Sequence, residues 1–306
     1  MKRIPRAPSL LAALLLAAWA AACAPPPGHG PDPYPRNRRL PDDTTVIRGR
    51  LWNGLTYYVR ANHEPRKRAE LRLVVNAGSV LEGNDQRGLA HVVEHMAFNG
   101  TTHFEKNELI DYLETVGMRF GPDVNAYTGY DETVYMLTLP TDTAGALDTG
   151  LQIMQDWATG IVFDTAEVRK ERGVVVEEWR LGRGASARVQ DKQMPVLFRR
   201  SRYAVRNPIG DPQTIRTAPT SAIYRFYKTW YRPELMAVVA VGDFDAREME
   251  RKIRRAFATI PPDPKAPRRI VYPGPSGGGT RFAIAADPEL TGSSVTLVHT
   301  ERSRVR

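Results

Sequence analysis

Between Gly88 and Phe98 the chain sets two histidines, His91 and His95, into a run otherwise filled by Leu89, Ala90, Val92, Val93 and Met96. Four residues is about one helical turn, so the spacing predicts a helix with both imidazoles on one face and apolar side chains around the rest. A helix of that kind has to be embedded, and whatever packs around it must leave the paired imidazoles a polar partner. Two imidazoles one turn apart can reach a single metal ion. Glu94 stands three residues after His91 and projects near the same face, where a carboxylate can take a proton from a metal-bound water. The plainer alternative is two histidines on an ordinary amphipathic helix. By composition the five-residue match arises by chance in fewer than about 1 in 100 chains of this length.

A catalytic zinc ion usually has three protein ligands and one open position, so a third ligand has to come from elsewhere. Periodicity predicts a long helix from Glu167 to about Arg183, capped at Asp164-Thr165, and it offers Glu167, Glu171, Glu177 and Glu178. Glu171 and Glu178 are two turns apart and share a face, whereas Glu177 points about 100° away from Glu178. The intervening Val174, Val175 and Val176 predict that this turn packs into the core, where a carboxylate needs a cation or a hydrogen-bond donor. Any one of these glutamates taken alone reads equally well as part of a solvated charged face.

Strand and helix signals alternate irregularly along the rest of the chain. Asn53-Gly54, between Leu51-Trp52 and the run Leu55 to Val59, marks a hairpin. Glu70 to Ala77, Thr133 to Leu139 and Met236 to Val241 read as strands. Lys106 to Val116, Thr143 to Ile161, Ser221 to Tyr231 and Ala246 to Ala256 read as helices. The expected architecture is α+β, a mostly antiparallel sheet with helices packed on one face, over residues 46–262. Residues 263–280, rich in Pro, Gly and basic side chains, read as a linker. Residues 281–306, with alternating Phe282, Ile284, Val295 and Leu297, read as the incomplete start of a second lobe, too short to bury a core.

The N-terminus reads as an export signal. Met1-Lys2-Arg3 with Arg6 is basic, Leu10 to Ala18 is apolar, and Ala20 to Ala22 forms a small-residue cleavage site, which assigns 1–22 to a signal peptide. Cys23 follows at once, where a bacterial lipoprotein carries its lipidated cysteine. The expectation is an exported, periplasmic chain anchored to the membrane by an N-terminal lipid only, with the Pro-rich stretch 23–45 as a flexible tether. Cys23 is the single cysteine, so the chain has no internal disulfide. No other apolar run approaches the about 20 residues of a spanning helix, which excludes a polytopic membrane protein. The whole sequence has 43 Lys+Arg against 34 Asp+Glu. Loss of Lys2, Arg3 and Arg6 with the leader leaves an excess of about +6, without a basic stripe interleaved with aromatics, so nucleic acid is not an expected partner.

His91-x-x-Glu94-His95, followed by Met96 to Thr101, resembles the inverted zinc motif of the pitrilysin/insulinase family, to which mitochondrial processing peptidase and bacterial periplasmic zinc proteases belong. The resemblance continues through Asn107-Glu108-Leu109, Gly117, Asn125 to Thr128, Asp131 to Tyr135, Glu171 to Trp179, Tyr231-Arg232-Pro233 and Val241-Gly242-Asp243. It implies one Zn2+ per chain, held by His91, His95 and Glu178, with Glu94 as general base. It also implies that Glu171 steers the site through a hydrogen bond. The gap from His95 to Glu178 is several residues longer than in the best-known members, which keeps Glu177 as a rival ligand or close neighbour of the site. Asn125 and Ala126 resemble the edge strand along which a substrate peptide adds its backbone.

The function this implies is hydrolysis of peptides or unfolded polypeptides by zinc-activated water, with a second homologous lobe or subunit closing over the substrate. The alternative is a lipid-anchored, non-catalytic or partner-dependent polypeptide-binding subunit of a two-lobe peptidase. Degenerate family members typically lose a ligand, and this sequence keeps the full set. A serine or cysteine nucleophile has little support, since Cys23 lies in the leader region, no Gly-x-Ser-x-Gly stands between a strand and a helix, and no candidate base pairs with a serine. His63 and His103 are expected at the surface, and Trp157, Trp179 and Trp230 in packing.

Overall fold

The alternation that marked the strands becomes a sheet with one dry face. In β3 (Arg68–Val75), Ala69, Leu71, Leu73 and Val75 are buried while Arg68, Glu70 and Arg72 face water. β5 (Thr133–Pro140) and β6 (Met236–Gly242) bury every second residue against the same core. With β1 (Ile47–Arg50), β2 (Thr56–Ala61) and β4 (Val124–Thr128) they form a six-stranded sheet in the order β1-β2-β6-β3-β5-β4. Only β2 and β6 pair in parallel; the other neighbours are antiparallel. This computed structural model describes residues 41–106, 108–275 and 279–299. The leader, the lipidation candidate Cys23, the tether up to residue 40 and the tail beyond 299 lie outside the described residues.

Eight α-helices occur among the described residues: α1 (Leu89–Met96), α2 (Glu108–Thr115), α3 (Ala146–Thr159), α4 (Thr165–Leu181), α5 (Ala185–Leu197), α6 (Pro212–Thr217), α7 (Thr220–Trp230) and α8 (Ala246–Phe257). None is long and apolar enough to cross a membrane. α3 lies so close to the sheet that a Cβ on Gly150 would stand 2.1 Å from Leu139 Cδ1. α8 packs on α3 and β2, and α1 is enclosed by α4 and α7. The α+β architecture with helices covering one face is therefore as expected.

Local signals explain several boundaries. The first hairpin turns through Gly54 at φ 94°, and Asn53 Nδ2 donates to the carbonyls of Phe257 and Ile260, both at 2.8 Å, tying the turn to the end of α8. Asp164 caps α4 by accepting from the Ala166 and Glu167 N–H groups. Residues 280–299 form no strand, and Phe282, Ile284, Val295 and Leu297 are exposed. A strand needs a neighbour to pair with; this segment is held to α5 by Arg188, which donates to Asp287 through two bonds of 2.7 Å.

Candidate metal centre

α1 begins where the chain can turn only through glycine. Gly88 has φ 97°, and a Cβ there would meet Ile215 Cδ1 at 2.8 Å and Gly210 Cα at 2.9 Å. The helix then buries Leu89, Ala90, Val92, Val93 and Met96, so His91 and His95 emerge together on the remaining face. Their Nε2 atoms are 3.3 Å apart. α4 brings Glu178 to them, its Oε2 3.6 Å from His91 Nε2 and 3.5 Å from His95 Nε2. A tetrahedral ion with ligand bonds near 2.1 Å separates its ligand atoms by about 3.4 Å, so every side of this triangle has the length of such a polyhedron's edge. Two imidazoles and one carboxylate are also a donor set that zinc takes. The residues present fit the ion.

The surroundings hold this triangle in place. Glu171 Oε2 lies 3.1 Å from His95 Nδ1, which turns the other ring nitrogen toward the cluster. Burial, with the neighbouring His95, holds His91 down to about 4 and therefore neutral, the state in which it can ligate. His95 behaves in the opposite way. Burial pulls it down, but Glu171 and Glu178 outweigh burial and raise it to about 9, so this position favours positive charge. Glu178 is lowered, chiefly by its contact with His95. Glu94 is buried beside the triangle, and Thr128 Oγ1 donates to its Oε2 at 2.5 Å. Burial pushes the Glu94 carboxyl up, against the pull of Thr128 and His95.

The structure does not bring Glu177 to the site. Its position on the helix turns it outward, where it pairs with Arg180 at 2.8 Å. Glu167, at the start of α4, pairs with Lys106 and Lys170. Val175 and Val176 are buried as expected, but Val174 is exposed and lines the cleft above the cluster. That cleft, about 780 Å³, runs from the metal-ligand candidates past Phe98, Ile110 and Phe120. Asn125 and Ala126 line it from β4, the strand at the sheet's edge, and the Ala126 N–H is held by Asn125 Oδ1 at 2.9 Å. Thr128 had no assigned role in the sequence. Its only signal was membership of the Asn125–Thr128 stretch, because its partner Glu94 lies 34 residues away. Trp157 is fully buried, Trp179 stacks with Arg183, and His63 pairs with Asp243 at the surface.

An α+β lobe that sets the two histidines of an H-x-x-E-H helix against a glutamate from a second helix belongs to the inverted-motif class of metallopeptidase lobes. The insulinase (peptidase family M16) profile matches residues 57–200, and the peptidase M16 inactive domain profile matches residues 220–302. The chain belongs to this family, peptidase family M16. It is 42% identical over 250 residues to a zinc protease PQQL-like protein of Arabidopsis thaliana, covering 81% of this chain and 26% of that protein. It is 41% identical over 219 residues to the probable zinc protease PqqL of Haemophilus influenzae, covering 72% and 24%. The crystal structure of the first half of the periplasmic protease PqqL from Escherichia coli superposes with a TM-score of 0.73 at 39% identity, covering 77% of this chain and 50% of that one. The chain thus spans about a quarter of the length of the curated relatives it matches.

Proposed function

We propose that this chain is the metal-binding lobe of an exported zinc endopeptidase that hydrolyses peptides or unfolded polypeptides. The observation that carries this reading is the triangle of His91, His95 and Glu178, closed at 3.3–3.6 Å. Bound there, zinc supplies Lewis acidity, polarising a carbonyl and acidifying a water. Glu94 is the general base that accepts the attacking water's proton and returns one to the leaving amine. Its raised affinity for protons suits both steps, and Thr128 fixes its orientation. Glu171 holds the His95 ring. The free edge of β4 at Asn125 and Ala126 would receive the substrate backbone as an added strand, exchanging the Asn125–Ala126 bond for a bond to substrate.

Export through the leader, and a lipid on Cys23, complete the reading from sequence; the periplasmic PqqL structure supports the compartment. One observation favours a partner-dependent form of the same function. The Glu178 side chain is 52% exposed, and Phe120 and Tyr127 beside the cleft are also exposed, so a second lobe or subunit would have apolar surface to cover. Metal analysis and cleavage of an unfolded peptide test the reading together. The purified chain should carry about one zinc per molecule, Glu178→Ala should lose it, and Glu94→Gln should keep it while cleavage falls by about 10²–10⁴-fold. Full cleavage by Glu94→Gln, or zinc retained by Glu178→Ala, overturns the assignment.

A further inference from the structure

α1 has no capping side chain at its own N-terminus, because the residue there is Gly88. Its first N–H groups are satisfied from outside the helix. Glu82, in the loop ahead of it and wholly buried, accepts from the Gly88 N–H and the Ala90 N–H through one oxygen, Oε1, at 2.9 Å each. Ala90 is the residue immediately before His91. At the other end of the helix, Trp157 Nε1 donates to the Ala97 carbonyl at 2.9 Å. The paired imidazoles therefore stand on a helix pinned at both ends by buried side chains.

The segment that carries Glu82 is itself held. Arg202 donates to the carbonyls of Val80 and Glu82, and Arg206 donates to the Glu82 carbonyl and to Asn84 Oδ1. Gly88 and Gly210 approach so closely that a side chain on either would collide with the other's backbone. Glu82 is thus a fixed strut, and the start of α1 has no room to drift sideways.

We propose that Glu82 is a positioning residue for the metal centre: its single accepting oxygen sets the height and rotation of α1, and so the separation of His91 and His95 from Glu178. The inference rests on the metal reading above. An acceptor, and not a negative charge, is what this role requires. Burial pushes the Glu82 carboxyl up to about 8, against the pull of the two N–H donors and of Arg206, so an uncharged amide is a close substitute.

Zn2+ affinity by chelator competition and the visible spectrum of the Co2+ form, measured on the full chain, test this with Glu82→Gln, Glu82→Asp and Glu82→Ala. Glu82→Gln should keep the Co2+ spectrum and bind Zn2+ within about threefold of the unaltered chain. The shortened Asp and the Ala should weaken Zn2+ by about tenfold or more and shift the Co2+ bands. In the metal-free chain the Ala90 amide should exchange faster with solvent in Glu82→Ala but not in Glu82→Gln. A folded Asp or Ala variant with unchanged affinity and spectrum overturns the proposal, as does a Gln variant as weak as Ala. If neither shortened variant folds while Gln is unaltered, Glu82 is a folding requirement only, and the proposal is again overturned. Failure of the unaltered chain to bind zinc instead overturns the metal reading, and the proposal with it.

Discussion

Two histidine–carboxylate pairs in this lobe have similar geometry and different consequences. His103 Nδ1 lies 2.7 Å from Asp156 Oδ1, closer than the 3.1 Å between His95 Nδ1 and Glu171 Oε2. Asp156 also accepts from Thr101 Oγ1, from the His103 N–H and from Gln152, so its buried carboxylate is saturated, and its work is to hold the turn after α1 against α3. The His103 ring stands 56% exposed. At His95 the bond to Glu171 uses only one ring nitrogen, and the other is directed at His91 Nε2 and Glu178 Oε2. Those atoms crowd together because α1 and α4 are packed in place independently of them. A short histidine–carboxylate bond does not define a site; lone pairs converging on one point, with burial behind them, do.

The sharpest way to break this comparison is to remove each ring. His95→Ala should reduce zinc stoichiometry toward zero and cleavage to background, while His103→Ala should leave stoichiometry unchanged and the rate within about threefold. Equal loss of zinc in both variants, read by metal analysis, would show that His103 is part of the centre.

The unequal standing of these pairs was only half legible in the sequence. His91, Glu94 and His95 were legible because a helix places residues three and four apart on one face, and Glu171 and Glu178 because two turns separate them. The Asn53-Gly54 hairpin and the Asp164 cap were legible for the same reason, since each motif is complete within a few residues. Asp156 was not, because Thr101 and His103 reach it across more than 50 residues. The parallel pairing of β2 with β6, about 180 residues apart, likewise leaves no local trace, and the Glu82 strut, although it spans only six to eight residues, follows no helical or strand period that would mark it. α5 escaped for the opposite reason: it buries no residue, so it has no apolar stripe from which a period could be read.

A second contrast is visible in pH. In the metal-free chain His95 is raised from an ordinary 6.5 to about 9, so the folded state binds its proton more tightly than the unfolded state does. The stability this contributes, on the order of 3 kcal/mol, is full below pH 6.5 and is lost as pH rises through about 9. Urea midpoints of chelator-treated protein should fall across that window, and His95→Gln should flatten the fall. Saturating zinc should also remove it, because the ion displaces the proton. A fall that survives in His95→Gln would place its origin in other groups.

The smallest effects sharpen the comparison most, because they touch the carboxylates and leave both rings in place. Glu171→Gln should weaken zinc by about 10–100-fold, since the amide no longer draws the His95 N–H into line as a carboxylate does. Asp156→Asn should cost about 1–2 kcal/mol of stability, because one of its positions becomes an N–H group among the donors of Thr101, His103 and Gln152. Its zinc affinity should stay within about twofold, because Asp156 acts on the turn after α1 and not on the helix face that carries the ligands. Chelator competition and urea unfolding on the two variants separate the roles. Zinc loss in Asp156→Asn equal to that in Glu171→Gln would mean that the turn at Gly100–Thr102 transmits its position back through the Trp157-pinned end of α1, and the two pairs would then be parts of one device.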